Sequence, residues 1–239
     1  MKLPSQFHCI EPNDFIGPAR AAAHHVATFA RQARASRAPV RFAFLGAPGC
    51  GKSDLAAFLA SCLGANQFTT YLKNGASFRI EDVEEWNRTL HLREMWAEYR
   101  VFRIEEVDRA STPAQVALLT LLDSLPPGNA FLVTTNKTLK ELEPRFARRF
   151  QKLPGSDERP NELLPPSVEE IAAFLTARFR LLPRVADAIA RESVLDMGYV
   201  GQALQAADAA VAYPHNLLPP EPPRGTARVA SNQPSLLPA

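Results

Sequence analysis

The stretch from Phe44 to Gly64 reads FLGAPGCGKSDLAAFLASCLG and connects a short apolar run to a segment with helical character. Residues 46–53 within it satisfy the pattern G-x-x-x-x-G-K-[ST]. This pattern is informative when a strand precedes it and a helix follows it. The apolar run over 40–46 predicts such a strand, and the residues from about 52 to 63 predict such a helix. The sequence therefore predicts a loop that binds the phosphates of a nucleotide.

The residue types in this loop suit phosphate chemistry. Its glycines let successive backbone N–H groups turn toward an anion, and the N-terminus of the following helix adds partial positive charge. Lys52 is expected to reach the outer phosphates, and the Ser53 hydroxyl is expected to ligate Mg²⁺. The predicted nucleotide-binding positions are Gly46, Ala47, Pro48, Gly49, Cys50, Gly51, Lys52 and Ser53.

Composition limits the class of protein. The 239 residues, 46% of them hydrophobic, suffice for one large domain or for a medium domain with a smaller companion. The formal net charge of +2 creates no strong field to recruit nucleic acid or a membrane. Cys9, Cys50 and Cys62 fit neither a disulfide framework nor a four-thiolate zinc site. With no long apolar run and no apolar leader, we expect a cytoplasmic protein that contacts no membrane.

Strand-like and helix-like patterns alternate along the first two thirds of the chain. A first helix is predicted over 18–35, and the predicted strands cover 40–46, 68–73, 99–106 and 130–136. Such alternation favours a parallel sheet covered by helices on both faces.

Helices alone follow this alternating region. Ser167 and Glu170 form a predicted capping box at the start of one of them. Earlier in the chain, Thr112 is the predicted N-cap of another helix, with Pro113 at its first position and Gln115 completing a capping box. We predict an α/β core over 1–155, a small helical domain over 156–213 and a disordered, proline-rich tail over 214–239.

Two adjacent acids, Glu105 and Glu106, end the third predicted strand. A nucleotide hydrolase needs a carboxylate near its metal and a group that orients the attacking water. We predict that Glu105 is the metal-side acid and that Glu106 activates the water. The alternative is an ordinary pair of charges in solvent at the end of a strand.

From about Phe15 to Tyr213 the sequence resembles the AAA+ ATPases, and among them the sliding-clamp loaders. DFIG (14–17) is similar to their adenine-side box, and residues 74–86 are similar to the segment after their second strand. RIEEVDRASTPAQVALLTLLDSLPPGNAFLVTTN, from Arg103 to Asn136, is similar to their Walker B region and sensor 1 strand. PRFARRFQ, residues 144–151, is similar to their arginine-finger segment.

This resemblance implies a fold, cofactors and further site residues. The implied fold is α/β, with a parallel five-stranded P-loop NTPase sheet sandwiched by helices and a small all-α lid domain, without a collar domain. ATP and Mg²⁺ are the implied cofactors. Phe15 and Ile16 would lie on the adenine side, Asn136 would be sensor 1, and Arg149 would be the arginine finger, with Arg148 as second choice.

From the residues alone, alternatives to these roles stay open. Asn136 could equally be a turn asparagine that ends a strand, and the arginines of 144–151 could form a solvated basic face. A finger acts on the nucleotide of a neighbouring subunit, so this role requires an oligomer, either a ring or an arc.

Two departures from the family pattern bear on hydrolysis. Glu105 stands where the family usually has aspartate, which is one methylene shorter. In GYVGQALQAADAAV, from Gly198, Tyr199 and Gly201 stand where the family's sensor 2 stretch has an acid and an arginine. No sensor 2 cation is therefore carried over to this chain, and closure of the lid is expected to couple weakly to the γ-phosphate.

The last residues, SNQPSLLPA (231–239), resemble short peptides that dock into bacterial sliding clamps, with Gln233, Leu236 and Leu237 as the contacts. A pattern this short also arises by chance in a featureless tail. DNA is an expected partner through the resemblance only. Arg88, Arg93 and Arg100 are candidate phosphate contacts, but solvated helix faces explain them as well.

Three functions are compatible with these observations. The leading one is an AAA+ ATPase that remodels or loads a DNA-associated complex, like the clamp loaders. The second is a helicase-loader or transposition-regulator ATPase, which shares the same core. The third is a nucleotide-binding scaffold with little hydrolysis, which Glu105 and Gly201 favour.

Overall fold

A computed structural model describes residues 4–91, 97–138, 141–151 and 162–219 of the chain. Arg93 and the predicted clamp-binding residues Gln233, Leu236 and Leu237 lie outside these ranges.

Five parallel strands form one sheet in the spatial order β2-β3-β4-β1-β5. The strands are Val40–Gly46 (β1), Thr70–Asn74 (β2), Arg100–Glu105 (β3), Asn129–Thr135 (β4) and Glu162–Leu163 (β5). The two-residue β5 pairs with the end of β1, where Gly46 lies opposite Leu163. The predicted parallel five-stranded sheet is therefore confirmed.

Helices cover both faces of this sheet. Pro18–Ser36 (α1) and Lys52–Cys62 (α2) lie on one face, and Ile80–Thr89 (α3), Thr112–Asp123 (α4) and Pro144–Ala147 (α5) lie on the other. Successive side chains of a strand point to opposite faces, so Val101 joins the α1/α2 side while Phe102 packs near Trp86 of α3. Both faces are buried, which explains the nearly continuous apolar runs of the central strands.

The start of α4 differs from the prediction. Ser111, not Thr112, is the N-cap, and its hydroxyl accepts a hydrogen bond from the Ala114 N–H at 3.4 Å. Gln115 therefore lies one position beyond the capping-box site, and its buried amide donates to the Ala110 carbonyl at 3.0 Å. The reason is that Pro113 fits the second helical position as well as the first, because neither N–H has a partner within the helix.

A small helical domain, called the lid below, follows the sheet. It contains Val168–Phe179 (α6), Pro183–Leu195 (α7) and Tyr199–Val211 (α8), which share an apolar core of their own. The predicted capping box opens α6, since the Ser167 N–H donates to the Glu170 carboxylate at 2.8 Å and the Glu170 N–H donates to the Ser167 hydroxyl at 3.2 Å.

Two of the predicted boundaries shift in the structure. Residues 162 and 163, assigned to the helical domain, form β5 and belong to the sheet. Residues 214–219, assigned to the disordered tail, lie against the lid, where the Leu218 N–H donates to the Arg180 carbonyl at 2.7 Å. Both segments are too short to show hydrophobic periodicity, so the sequence pattern could not reveal them. Among the helices described, none has the length and apolar character needed to span a bilayer.

Candidate nucleotide-binding site

The loop over 46–53 connects the end of β1 to the start of α2, as its pattern predicts. Gly46, Gly49 and Gly51 have φ angles of +141°, +76° and +88°, which residues with a side chain rarely adopt. A Cβ atom on Gly46 would lie 2.3 Å from the Leu163 carbonyl oxygen, and one on Gly49 would lie 2.3 Å from the Gly198 carbonyl oxygen. Glycine is therefore required both by the loop's backbone and by its contacts with β5 and the lid.

Lys52 is the first residue of α2 and is only 8% exposed. Its Nζ donates to the carbonyls of Gly46 at 2.9 Å and Ala47 at 2.7 Å. Burial lowers the pKa of this ammonium group. A charged phosphate oxygen is a stronger acceptor for this ammonium group than a neutral carbonyl. A bound triphosphate could therefore replace the two carbonyls as the partner of Lys52.

Cys50 packs under the loop and is 2% exposed. Its thiol donates to the Ala47 carbonyl at 3.0 Å, and burial raises its pKa. The side chain is therefore a neutral packing element of the loop rather than a reactive thiolate.

A cavity beside the loop lies between the N-terminal segment and the lid. Beyond the loop itself, its apolar lining includes Phe7, Phe15, Ile16, Phe174, Val200 and Leu204. Phe15, 3% exposed, packs edge-to-face on Phe58 of α2 with ring centroids 5.3 Å apart. An apolar cavity that opens onto a phosphate-binding loop suits a purine base. Phe15 and Ile16, predicted on the adenine side, line this cavity.

Phe7, Phe174 and Leu204 belong to this lining but were not predicted as site residues. Phe7 packs edge-to-face on Phe174 of α6, with centroids 5.4 Å apart, and so fastens the N-terminal segment to the lid. Because this contact joins residues far apart in the chain, no local pattern could have indicated it.

The two residues predicted to hold the metal, Ser53 and Glu105, lie where the end of β3 approaches the start of α2. Ser53 is exposed in the first turn of α2, and Glu105 is the last residue of β3. Nη2 of Arg103 donates to the Ser53 carbonyl at 3.1 Å and to Glu105 Oε1 at 3.1 Å. Ser53 and Glu105 are therefore connected through Arg103, and their roles at a metal stay a prediction.

This pair fits Mg²⁺, which commonly takes only one or two protein oxygens and completes its shell with phosphates and water. In the part of the chain that the structure describes, no three His, Cys, Asp or Glu side chains cluster at metal-binding distance. The site thus suits a metal delivered with the nucleotide. Arg103 was not predicted, although a lone cation within an apolar strand is a usable signal, because burying it is costly unless it is paired.

Glu106 follows β3 in a left-handed backbone conformation, with φ +54° and ψ +51°. Its N–H donates to the Thr134 hydroxyl of β4 at 3.1 Å, and its carboxylate accepts from Arg109 at 2.8 Å. Non-glycine residues in this conformation are uncommon and concentrate at functional sites. The contact with Thr134 fixes the backbone of Glu106 relative to the neighbouring strand.

Asn136 is exposed directly after β4, and its N–H donates to the Asp108 carboxylate at 3.3 Å. Glu106 and Asn136 therefore lie at the carboxyl ends of adjacent strands. Neither residue is among the described residues that line the apolar cavity. Both lie at the edge of the sheet from which the 46–53 loop also emerges.

The arginines of 144–151 lie around α5, away from the loop of their own chain. Arg149 forms an ion pair with Asp123, and Arg145 forms one with Glu143 at 2.8 Å. Arg148 is exposed, and its side chain has no polar partner among the described residues.

Gly201 of α8 lines the cavity beside the loop, so the position that resembles sensor 2 does face the nucleotide site. A Cβ atom there would meet nothing within 4 Å. Tyr199, two residues earlier, has a φ of +41°. The lid therefore offers no cation from this position, only open space.

Residues 41–153 match the family described as AAA domain, dynein-related subfamily. The strand order of the five-stranded parallel sheet, the loop between β1 and α2 and the helices that follow the sheet are features of the AAA+ P-loop fold. Residues 41–153 are therefore similar to an AAA domain, a kind of domain that is generally an ATPase. No curated protein matches the sequence.

Solved structures with this fold include the RuvB Holliday junction branch migration motor of Thermotoga maritima, at 18% identity and a TM-score of 0.62. That match covers 86% of this chain and 65% of the RuvB chain. A DNA polymerase III gamma subunit-related protein of Thermotoga maritima matches at 13% identity and a TM-score of 0.57, over 76% of this chain and 57% of the other. Hsp104, solved with ATPγS and casein, matches at 14% identity and a TM-score of 0.60, over 84% of this chain and 45% of the Hsp104 chain. At these identities the likeness shows the fold, and this chain spans less than two thirds of each.

Proposed function

We propose that this chain binds ATP with Mg²⁺ and hydrolyses it as one subunit of an AAA+ oligomer that remodels or loads a DNA-associated complex. The observation that carries the proposal is the meeting of the 46–53 loop with the ends of β3 and β4. Ser53 ends the loop, and Glu105, Glu106 and Asn136 lie at the carboxyl ends of β3 and β4, which supports roles for all four residues near the outer phosphates.

Each residue has a distinct role in this proposal. Lys52 and the loop N–H groups bind the phosphates, and Ser53 with Glu105 holds the metal, whose positive charge offsets the charge of the phosphates. Glu106 accepts a proton from the attacking water, and Asn136 orients that water or the γ-phosphate. The apolar cavity with Phe15 and Ile16 holds the base.

An oligomer and a DNA-associated role rest on two lines of support. Arg149 lies on a surface remote from its own loop, as expected of a group that acts on a neighbour's nucleotide. Two of the similar structures carry names from DNA metabolism, a branch migration motor and a polymerase subunit-related protein. We also propose a reducing, cytoplasmic setting, since the three cysteines are free thiols.

The test combines ATP turnover with mass in solution. We expect turnover that requires Mg²⁺ and falls at least about a hundredfold in Glu106→Gln, while a fluorescent ATP analogue still binds that variant. We expect the mass to rise from one chain to several when ATP is added. A chain that stays monomeric with ATP and with duplex or forked DNA contradicts the proposed assembly.

A nucleotide-binding scaffold is the second candidate, and specific observations favour it. Gly201 supplies no cation to the nucleotide site, and the Glu106 carboxylate is paired with Arg109 instead of standing free. ATP-dependent assembly without turnover, unchanged in Glu106→Gln, would identify a scaffold. A helicase-loader or transposition-regulator role shares every site residue. ATP-dependent capture of a replicative helicase or a transposase, rather than a sliding clamp, would distinguish it.

A further inference from the structure

Arg103 is a cation in the middle of β3, a strand that is paired on both sides, with β2 and β4. Its side chain is only 12% exposed. Burying a charge in this way is unfavourable unless the charge is paired. Its neighbours along the strand, Phe102 and Ile104, are fully buried apolar residues. A charged guanidinium between them is therefore unusual.

The guanidinium lies at the metal side of the nucleotide site. Its Nη2 donates to the Ser53 main-chain carbonyl and to the Glu105 carboxylate, each at 3.1 Å. Its Nε is buried and has no hydrogen-bond partner among the described residues. Arg103 is thus in contact with both residues that would hold Mg²⁺, and one of its N–H groups is left unsatisfied.

We infer that Arg103 is a built-in cation that takes over part of the charge compensation which Mg²⁺ provides, so that nucleotide binding depends only weakly on the metal. The inference rests on the proposed ATP and Mg²⁺ site. A carboxylate already paired with a guanidinium has less to gain from a divalent cation. The same guanidinium attracts the phosphates whether or not the metal is present, because it is shielded from bulk water. Arg103 acts as a positioning residue for Glu105 and for the charge of the site.

The experiment measures the dissociation constant of a fluorescent ATP analogue with excess Mg²⁺ and with excess EDTA. We expect the two values for the unchanged protein to differ by about threefold or less. In Arg103→Met, which keeps the length and loses the charge, we expect a difference of about tenfold or more, since Glu105 then requires the metal. In Arg103→Met combined with Glu105→Gln, the metal dependence should become small again because the carboxylate charge is gone.

Arg41→Met is the matched control. Arg41 is a partly buried arginine on β1 that bonds the Leu122 carbonyl at 2.7 Å, at the opposite end of the sheet from the loop. Its replacement should leave the metal dependence of the dissociation constant unchanged. The comparison shows whether an effect in Arg103→Met comes from the lost charge at this site or from the loss of any arginine in the sheet.

Two outcomes overturn the inference. The first is a metal dependence above tenfold in the unchanged protein, a measurement that needs no variant to fold. The second is an Arg103→Met protein with a normal unfolding temperature and unaltered metal dependence. If the analogue binds neither the unchanged protein nor Arg103→Met, the proposed ATP site fails instead, so the two failures are distinguishable.

Discussion

Arg149 and Asp123 form a two-bond ion pair within one chain, with Nε and Nη2 of the guanidinium 2.5 and 2.6 Å from the two carboxylate oxygens. The pair connects Asp123, the last residue of α4, to Arg149, which lies two residues after the end of α5. The Asp123 contact raises the pKa of Arg149 and lowers that of the carboxyl. A finger at Arg149 would thus be held in one orientation by its own chain before it meets a neighbour.

We predict that Arg149→Ala lowers ATP turnover of the assembled protein by about a hundredfold or more, because an arginine finger contributes at least that much in related chemistry. Its affinity for the ATP analogue should stay the same, since the residue belongs to the neighbour's site. Mixing Arg149→Ala with Glu106→Gln should restore part of the turnover, because some junctions then combine an intact Glu106 with an intact Arg149. Turnover of the separate and mixed proteins measures this.

Arg148→Ala is the control for this prediction, because Arg148 is the adjacent, exposed arginine. It should retain turnover within about threefold, as surface substitutions have small effects. If instead Arg148→Ala loses turnover and Arg149→Ala keeps it, the finger is Arg148, and the bond with Asp123 is structural only.

Gly75 gives a second prediction, because it packs against the backbone of Glu106. A Cβ atom on Gly75 would lie 2.0 Å from the Glu106 carbonyl oxygen, so Gly75→Ala must displace that peptide. We expect a loss of about 1–3 kcal/mol in the free energy of unfolding, as for overpacked sites. We expect turnover to fall more than tenfold with the affinity for nucleotide unchanged.

Urea denaturation and steady-state turnover check the Gly75 prediction. Ala76→Ser at the next, exposed position is its control and should alter neither. Full activity in a folded Gly75→Ala protein would show that the position of the Glu106 backbone does not matter for hydrolysis.

A third prediction concerns alkaline pH and Tyr99. The Tyr99 side chain is fully buried, its hydroxyl donates to the Ala38 carbonyl at 2.7 Å, and burial raises its pKa to about 12. In the unfolded chain the phenol ionises near pH 10. Between these values the folded state binds more protons than the unfolded state, so stability is full below about pH 10 and is lost as pH rises toward 12.

Tyr99→Phe tests this linkage. It should lower the free energy of unfolding at pH 7 by about 1 kcal/mol, because the carbonyl loses its donor. It should also remove part of the decline in stability above pH 10, so that the difference between the two proteins shrinks as pH rises. Denaturation curves at pH 7, 10 and 11 measure both effects. A constant difference at all three values would contradict the assigned ionisation. Cys9, whose pKa is also raised to about 12, contributes equally to both proteins and cancels in the comparison.

A structural feature of this chain is predictable from the sequence when the residues that determine it are close together in the chain. The 46–53 loop and the capping box at Ser167 were predictable because their residues are adjacent and each has one chemical reason. The strand ends at Glu105 and Asn136 were predictable to within one residue. By contrast, β5 has two residues, too few for any period, and its position depends on pairing with β1.

The unpredicted features of the site arise from contacts between distant segments. Phe7 reaches the cavity only because the N-terminal segment packs on the lid. Arg103 acquires its role from Ser53, fifty residues away in the chain. Gln115 fits a local capping pattern, but it is used instead for contacts with Ala110 and with the Glu143 N–H, the latter at 3.3 Å. Here tertiary packing overrides local preference.

The last prediction uses Gly201, where the family pattern has an arginine. This glycine lies in the first turn of α8, is exposed and has space around its missing Cβ. Gly201→Ala should therefore raise the free energy of unfolding by about 0.5–1 kcal/mol, because alanine loses less backbone entropy in a helix. Gly201→Arg should add, beyond this gain, a cation that faces the nucleotide cavity. We expect it to bind ATP more tightly than Gly201→Ala by about tenfold, with a smaller change for ADP, because the third phosphate carries the additional charge. Binding titrations of both nucleotides with both variants measure this. Equal effects on ATP and ADP would mean that α8 does not approach the γ-phosphate, and the lid would then serve the base end of the site alone.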